Sequence, residues 1–131
     1  MNKLFVRLTP LLATILLAAG CSSGAEKQRQ LEMVASSRAN LLASNLPIER
    51  GPLSIMRANA YGSTIEIMMI YNEDAPTAKP TRQLLQASLN QYCSSDDIKN
   101  ALEVGVTYRL KIRNSRGQLI IDQVVDQNAC K

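Results

Sequence analysis

The sequence predicts an α+β fold: one small domain in which an antiparallel sheet of about four to five strands carries about three to four helices, held by one disulfide. Three observations predict it. Apolar residues recur at helical spacing in separate segments of the chain. Other segments are rich in β-formers, alternate with a period of two, and sit beside glycine-bearing turns. The order is helix, strand pair, two helices, strand pair, which is not the regular alternation of a doubly wound parallel sheet.

Residues 26–44 read as the first helix. Leu31, Val34, Ala35, Leu41 and Leu42, with the stem of Arg38, fall near one stripe. Pro47 disfavours helix for the residue before it and closes the segment. Residues 52–58, with Leu53, Ile55 and Met56, form a mixed strand, and Ala60-Tyr61-Gly62-Ser63 a turn. Residues 64–71 return, with Ile65, Ile67, Met69 and Tyr71 on one face and Glu66, Met68 and Ile70 on the other. That second face is only partly polar, which predicts a central strand covered on both sides for part of its length.

After a loop over residues 72–79, Pro80 or Thr81 opens the second helix. Leu84, Leu85, Leu89, Tyr92 and Cys93 lie close together on its surface. Ser94 or Ser95 caps a short third helix over residues 96–104, and Asp96 and Asp97 suit the positive end of its dipole. Gly105 supplies the left-handed residue that ends it. Val106, Tyr108, Leu110 and Ile112 then alternate with Thr107, Arg109, Lys111 and Arg113, the pattern of a half-exposed strand. Gly117 serves the following turn, residues 118–125 form the return strand, and a short tail reaches Cys130.

Ahead of this domain stands a leader. Lys3 and Arg7 precede an apolar run over residues 11–17, and Ala18, Ala19 and Gly20 lead to Cys21. A charged region, a short apolar region and small residues describe a secretory signal. The run is shorter than the roughly 20 apolar residues that a bilayer span requires. A cysteine directly after the small residues resembles a bacterial lipoprotein signal. Ala18 stands where that signal usually has leucine, with Leu17 one step before. The resemblance implies that residues 1–20 are removed and that Cys21 is acylated and becomes the first residue. Residues 21–25 then form the lipidated cysteine and a short tether, and residues 26–131 the periplasmic domain. Ser22, rather than an aspartate, follows Cys21, which implies the outer membrane, with the domain facing the periplasm.

With Cys21 lipidated, Cys93 and Cys130 remain as an even pair in an oxidising compartment and are expected to bridge. The bridge closes a loop of roughly 38 residues, worth on the order of 4 kcal/mol in the chain-entropy account. The chain has no histidine, so Ser-His-Asp and Cys-His catalysis are excluded, and two distant cysteines do not make a zinc site. The acidic pairs Glu73-Asp74 and Asp96-Asp97 read as a loop and a helix start rather than catalytic carboxylates. No Gly-rich phosphate loop is present. Lys3 and Arg7 supply half of the formal net charge of +4, and aromatic residues make up 4% of the chain. Neither a dense basic patch nor an aromatic platform for nucleic acid remains. A non-enzymatic binding module without cofactor or metal is the expectation.

Met33, Met56, Met68 and Met69 suit either core filling or an adaptable apolar groove for a partner helix. The row Arg109, Lys111, Arg113 suits either a solvated sheet face or contact with an acidic partner.

Longer patterns carry a second resemblance. Ser44-Asn45-Leu46-Pro47-Ile48 closes the first helix, and Gly62-Ser63-Thr64-Ile65-Glu66-Ile67 forms a turn and strand. Gln91-Tyr92-Cys93 ends the second helix, a helix–Gly–strand junction runs through residues 98–108, and Cys130 stands near the end. Together with Cys21 these resemble the α/β-type pilotins of type II secretion, the AspS or GspS-beta family, over essentially the whole mature domain. The resemblance implies a lipoprotein that binds the C-terminal segment of a secretin subunit. It would carry that subunit to the outer membrane on the lipoprotein sorting route and assist its assembly. A groove between the first helix and the sheet or neighbouring helix, using Met56, Met68 and Ile70, is the expected contact. The alternative is a periplasmic inhibitor-type lipoprotein directed at lysozyme-like enzymes, which shares the lipidated cysteine, small domain and disulfide.

Overall fold

The computed structural model describes residues 23–131. The leader and Cys21 lie outside the described residues. The first helix, α1, runs Ser23–Ala43, so residues 23–25, expected as tether, are already helical. Its last turn is closed by side chains: Ser44 Oγ and Asn45 Nδ2 donate to the Leu41 carbonyl at 2.7 and 3.3 Å, satisfying a carbonyl that the helix end would otherwise leave unpaired. Ala35 and Ala39, one turn apart, are its buried residues. Their small side chains let the helix axis come close to the sheet.

A strand the sequence did not reveal follows. Residues Ile48–Arg50 form β1, which turns through Gly51 (φ 57°) into β2, Leu53–Tyr61. Gly62 (φ 59°) turns β2 into β3, Thr64–Tyr71. Helices α2 (Thr81–Ser94) and α3 (Asp96–Val104) come next, then β4 (Thr107–Asn114) and β5 (Leu119–Val125), and a 3-10 turn over Asn128–Cys130. The sheet order is β1-β2-β3-β4-β5.

The α+β class holds, and the sheet is mixed rather than wholly antiparallel. β3 and β4 pair in parallel from Thr64↔Thr107 to Tyr71↔Asn114, while the other neighbours are antiparallel. Helices α2 and α3 form a crossover that carries the chain back to the end of the sheet where β3 began, which is what parallel neighbours require. Sequence order alone does not say which strands become neighbours.

The register separates two faces. Ile65, Ile67, Met69 and Tyr71 of β3 and Tyr108, Leu110 and Ile112 of β4 are buried beneath the helices. Ala58, Leu84, Ala101, Leu102, Val106, Ile121 and Val125 complete this core. Among the described residues no helix covers the opposite face, and Ile70 there is 36% exposed. The described residues therefore do not supply the expected second cover over β3. Ion pairs occupy that face instead: Arg109–Asp122 at 2.7 Å and Lys111–Glu66 at 3.4 Å.

Cys93 of α2 and Cys130 form a disulfide with Cα atoms 5.3 Å apart. It fastens the end of the chain to the helical layer. Gly105 ends α3 with φ 111°, and its N–H donates to the Leu102 carbonyl at 3.1 Å. A Cβ there would also lie 3.1 Å from Cδ1 of Leu31 in α1.

Candidate functional site: a cleft between the first and third helices

Helix α1 packs on β2 and β3 rather than along α2 or α3. Its C-terminal half and the start of α3 therefore stand apart and form the walls of a cleft of about 340 Å³. Leu41 and Leu42 come from α1, Ile48 from β1, and Tyr92 and Ile98 from α2 and α3; Ile65 and Tyr108 reach it from the sheet. A shallower groove lined by Met33, Val34 and Ser37 continues along α1 and shares Arg38, Leu41 and Asp97 with the cleft.

The apolar residues of this track are left in solvent. Met33 and Leu41 are each 71% exposed, and Val34 and Leu42 are also exposed. Helix α1 thus presents two apolar faces, a narrow alanine face to the core and a wider Met/Leu face outward. The single core-facing stripe expected from the sequence divides between them: Ala35 is buried, whereas Val34, Leu41 and Leu42 face the cleft side. Single exposed apolar residues are ordinary, but a contiguous concave run is the mark of a binding surface.

One ion pair crosses the cleft. Arg38 Nη1 and Nη2 donate to Asp97 Oδ2 and Oδ1 at 2.8 and 3.0 Å. The hydrogen bonds and charge of Arg38 hold the Asp97 carboxyl below its usual range, and the same bonds raise the guanidinium pKa. Deeper in, Tyr108 lines the same cleft as Arg38. Burial pushes the Tyr108 phenol up, with Arg38 opposing. Burial also raises the Tyr92 phenol, followed by the influence of Tyr108. The two rings meet edge to face, with centroids 5.4 Å apart at 68°, a favoured aromatic geometry. Ser95 caps α3 by accepting from the Ile98 N–H at 3.5 Å, which places Asp97 in the first turn where its charge complements the dipole.

A groove between the first helix and its neighbours is therefore present, but different residues line it. Met56 is the unpaired residue of a bulge in β2, 38% exposed. Met68 and Ile70 point from β3 to the helix-free face. None of the three lines the cleft. Leu41, Leu42, Ile48, Tyr92, Ile98 and Tyr108 do, and only the crowding of more apolar residues onto α1 than one buried stripe can use hinted at this in the sequence. Among the described residues no group of three or more His, Cys, Asp or Glu side chains converges on a metal-sized point.

Comparison with known proteins bears on this geometry. Residues 27–130 match the family model described as type II secretion system pilotin, S protein. The chain is similar to the type 2 secretion system pilotin EpsS of Vibrio vulnificus at 53% identity and a TM-score of 0.78, covering 82% of this chain and 97% of that one. Pilotin AspS 2 of Escherichia coli O78:H11 (strain H10407 / ETEC) is 24% identical over 125 residues, 95% of this chain and 90% of that protein. A pilotin–secretin AspS–GspD complex from ETEC shares the fold at 20% identity and a TM-score of 0.50, covering 75% of this chain and 89% of that one. Through a match that spans nearly all of the described domain, the chain belongs to the type II secretion system pilotin (S protein) family.

Proposed function

We propose that this chain is a lipid-anchored, non-enzymatic pilotin that uses the α1–α3 cleft to hold the C-terminal segment of a type II secretion secretin subunit. Residues 1–20 are removed, Cys21 takes the lipid, and the domain faces the periplasm from the outer membrane. The lipoprotein sorting machinery supplies transport, and the cleft supplies the cargo contact. One acyl chain gives only marginal membrane binding, so several are needed for a stable anchor.

The observation that carries this reading is the exposed, concave Met33–Leu41–Leu42 track on α1 in a chain of the pilotin family. Its side chains suit an amphipathic helix laid into an apolar groove. A related pilotin is known in complex with its secretin. A segment that orders only on docking binds with reduced affinity for its area, and the many subunits of a ring offset this by multivalency.

The test has two parts. Leu41→Asp is expected to abolish capture of the secretin C-terminal segment while leaving the circular dichroism spectrum unchanged. Deletion of the gene is expected to leave secretin multimers in the inner membrane. Retained capture by the Leu41→Asp protein would overturn the cleft as the contact. Normal outer-membrane multimers in the deletion strain, with inhibition of a muralytic enzyme by the purified protein, would favour an inhibitor instead.

A further inference from the structure

We propose that Arg38 is the specificity-determining residue of the cleft: it receives a carboxylate from the bound segment in exchange for Asp97, so that the occupant must carry an acidic residue among its apolar ones. This inference rests on the cleft being the docking site. Among the described residues, Arg38 is the one cation lining both the cleft and the groove that continues it. It stands among Met33, Val34, Leu41 and Leu42, with Ser37 as the uncharged polar neighbour on the same groove.

The two members of the ion pair differ in exposure. The Arg38 side chain is 28% exposed and that of Asp97 78%. Asp97 thus sits on the rim, where solvent screens its pairing with the guanidinium. Its hold on the guanidinium is easily replaced. Covering the cleft with apolar side chains would take the guanidinium out of water, and a buried charge must keep an acceptor. Arginine meets a carboxylate through a planar fork, so the acceptor fixes both position and orientation. In the free protein Asp97 holds that fork in the cleft, so little ordering remains when the segment arrives. A purely apolar segment would leave Arg38 with only the rim carboxylate of Asp97 as its acceptor, and binds less well.

The test is calorimetric titration of the purified mature protein with peptides of the secretin C-terminal segment, in which each Asp or Glu is changed singly to its amide. Arg38→Met is expected to weaken binding by at least about tenfold, the loss seen when one partner of a desolvated charge pair is removed. Asp97→Asn is expected to change it less than about threefold, since Asp97 is displaced. One amide peptide is expected to bind the wild-type protein as weakly as the parent peptide binds Arg38→Met, with no further loss when the two are combined. The exchange Arg38→Asp with Asp97→Arg is expected to restore thermal stability without restoring binding.

Full binding by Arg38→Met, or by the exchanged pair, would overturn the proposal and leave Arg38 as a strut between the helices. So would the absence of any peptide carboxylate coupled to Arg38. Leu41→Asp separates this failure from failure of the cleft itself. If it loses binding while Arg38→Met does not, only the carboxylate inference falls; if it binds normally, the docking site falls with it.

Discussion

The cleft and the helix-free face of the sheet both place apolar side chains beside charged ones, yet they differ in what those groups do. On the sheet face the charges answer one another. Arg109 pairs with Asp122, Lys111 with Glu66, and Arg113 donates to the Gly117 carbonyl at 2.9 Å. Met68 and Ile70, two residues apart on β3, lie among these groups on a pleated surface. In the cleft the apolar residues are contiguous and concave, and one ion pair spans them. The first surface is finished by its own residues, and the second is left open. The cationic row on β4 is thus a solvated face tied up within the sheet, and charge alone is a poor guide to a docking site.

The strongest way to break this comparison is to put a charge on each surface. Leu41→Asp is expected to weaken binding of the secretin segment by about 100-fold or more, as for a central anchor. Met68→Asp and Ile70→Asp are expected to stay within about threefold of wild type, because neither residue lines the cleft. Calorimetric titration of the three variants checks both halves. Loss of binding in Met68→Asp and Ile70→Asp but not in Leu41→Asp would exchange the roles of the two surfaces.

A second test asks what keeps the cleft walls in place. Cys93 ends the helix that contributes Tyr92 to the cleft, and its bridge to Cys130 pins that helix to the chain terminus. Cys93→Ser with Cys130→Ser is expected to lower stability by about 2–4 kcal/mol. Thermal melts of the wild type with and without reductant should show the same drop. Gly105→Ala acts at the opposite wall. Its φ of 111° is strained for any residue with a Cβ, and that Cβ would press on Leu31. A loss of about 1–2 kcal/mol in urea unfolding is expected, and a smaller loss when the same change is made in a Leu31→Ala background if the contact rather than the backbone dominates.

These positions also show what could be read from the sequence. The third helix was readable to its ends because every local signal agreed: Ser95 as cap, Asp96 and Asp97 at the dipole, Gly105 as stop. The β3 and β4 alternation likewise placed Ile65, Ile67, Tyr108, Leu110 and Ile112 in the core. The pairing of Cys93 with Cys130 followed from counting once Cys21 was assigned to lipid. What could not be read was set by contacts distant in the chain. β1 is three residues long and exists because β2 offers it an edge. The parallel β3–β4 ladder depends on where the α2–α3 crossover lands. The cleft depends on α1 resting on alanines rather than leucines, so the apolar stripe that looked like core turned out to be the opening. Residue type alone points to Met56, Met68 and Ile70 as a groove, whereas the sheet register sends Met68 and Ile70 to the other side.

The smallest expected effect concerns the ion pair across the cleft. Arg38 holds the Asp97 carboxyl below its usual range, through hydrogen bonds first and charge second. A carboxyl whose pKa is lower in the folded than in the unfolded chain stabilises the fold above its unfolded value, near 3.9. That contribution is lost as pH falls through the folded value. Because Asp97 is largely exposed, the contribution is less than about 1 kcal/mol after solvent screening. Asp97→Asn is therefore expected to melt slightly below wild type at neutral pH, with the difference closing at acid pH. Asp97 also complements the α3 dipole, so the same comparison in an Arg38→Met background separates the two sources. If the pair dominates, the neutral-pH difference shrinks when Arg38 is absent; if it persists unchanged, the carboxylate serves the helix terminus, and the cleft walls are held apart by their packing on the sheet alone.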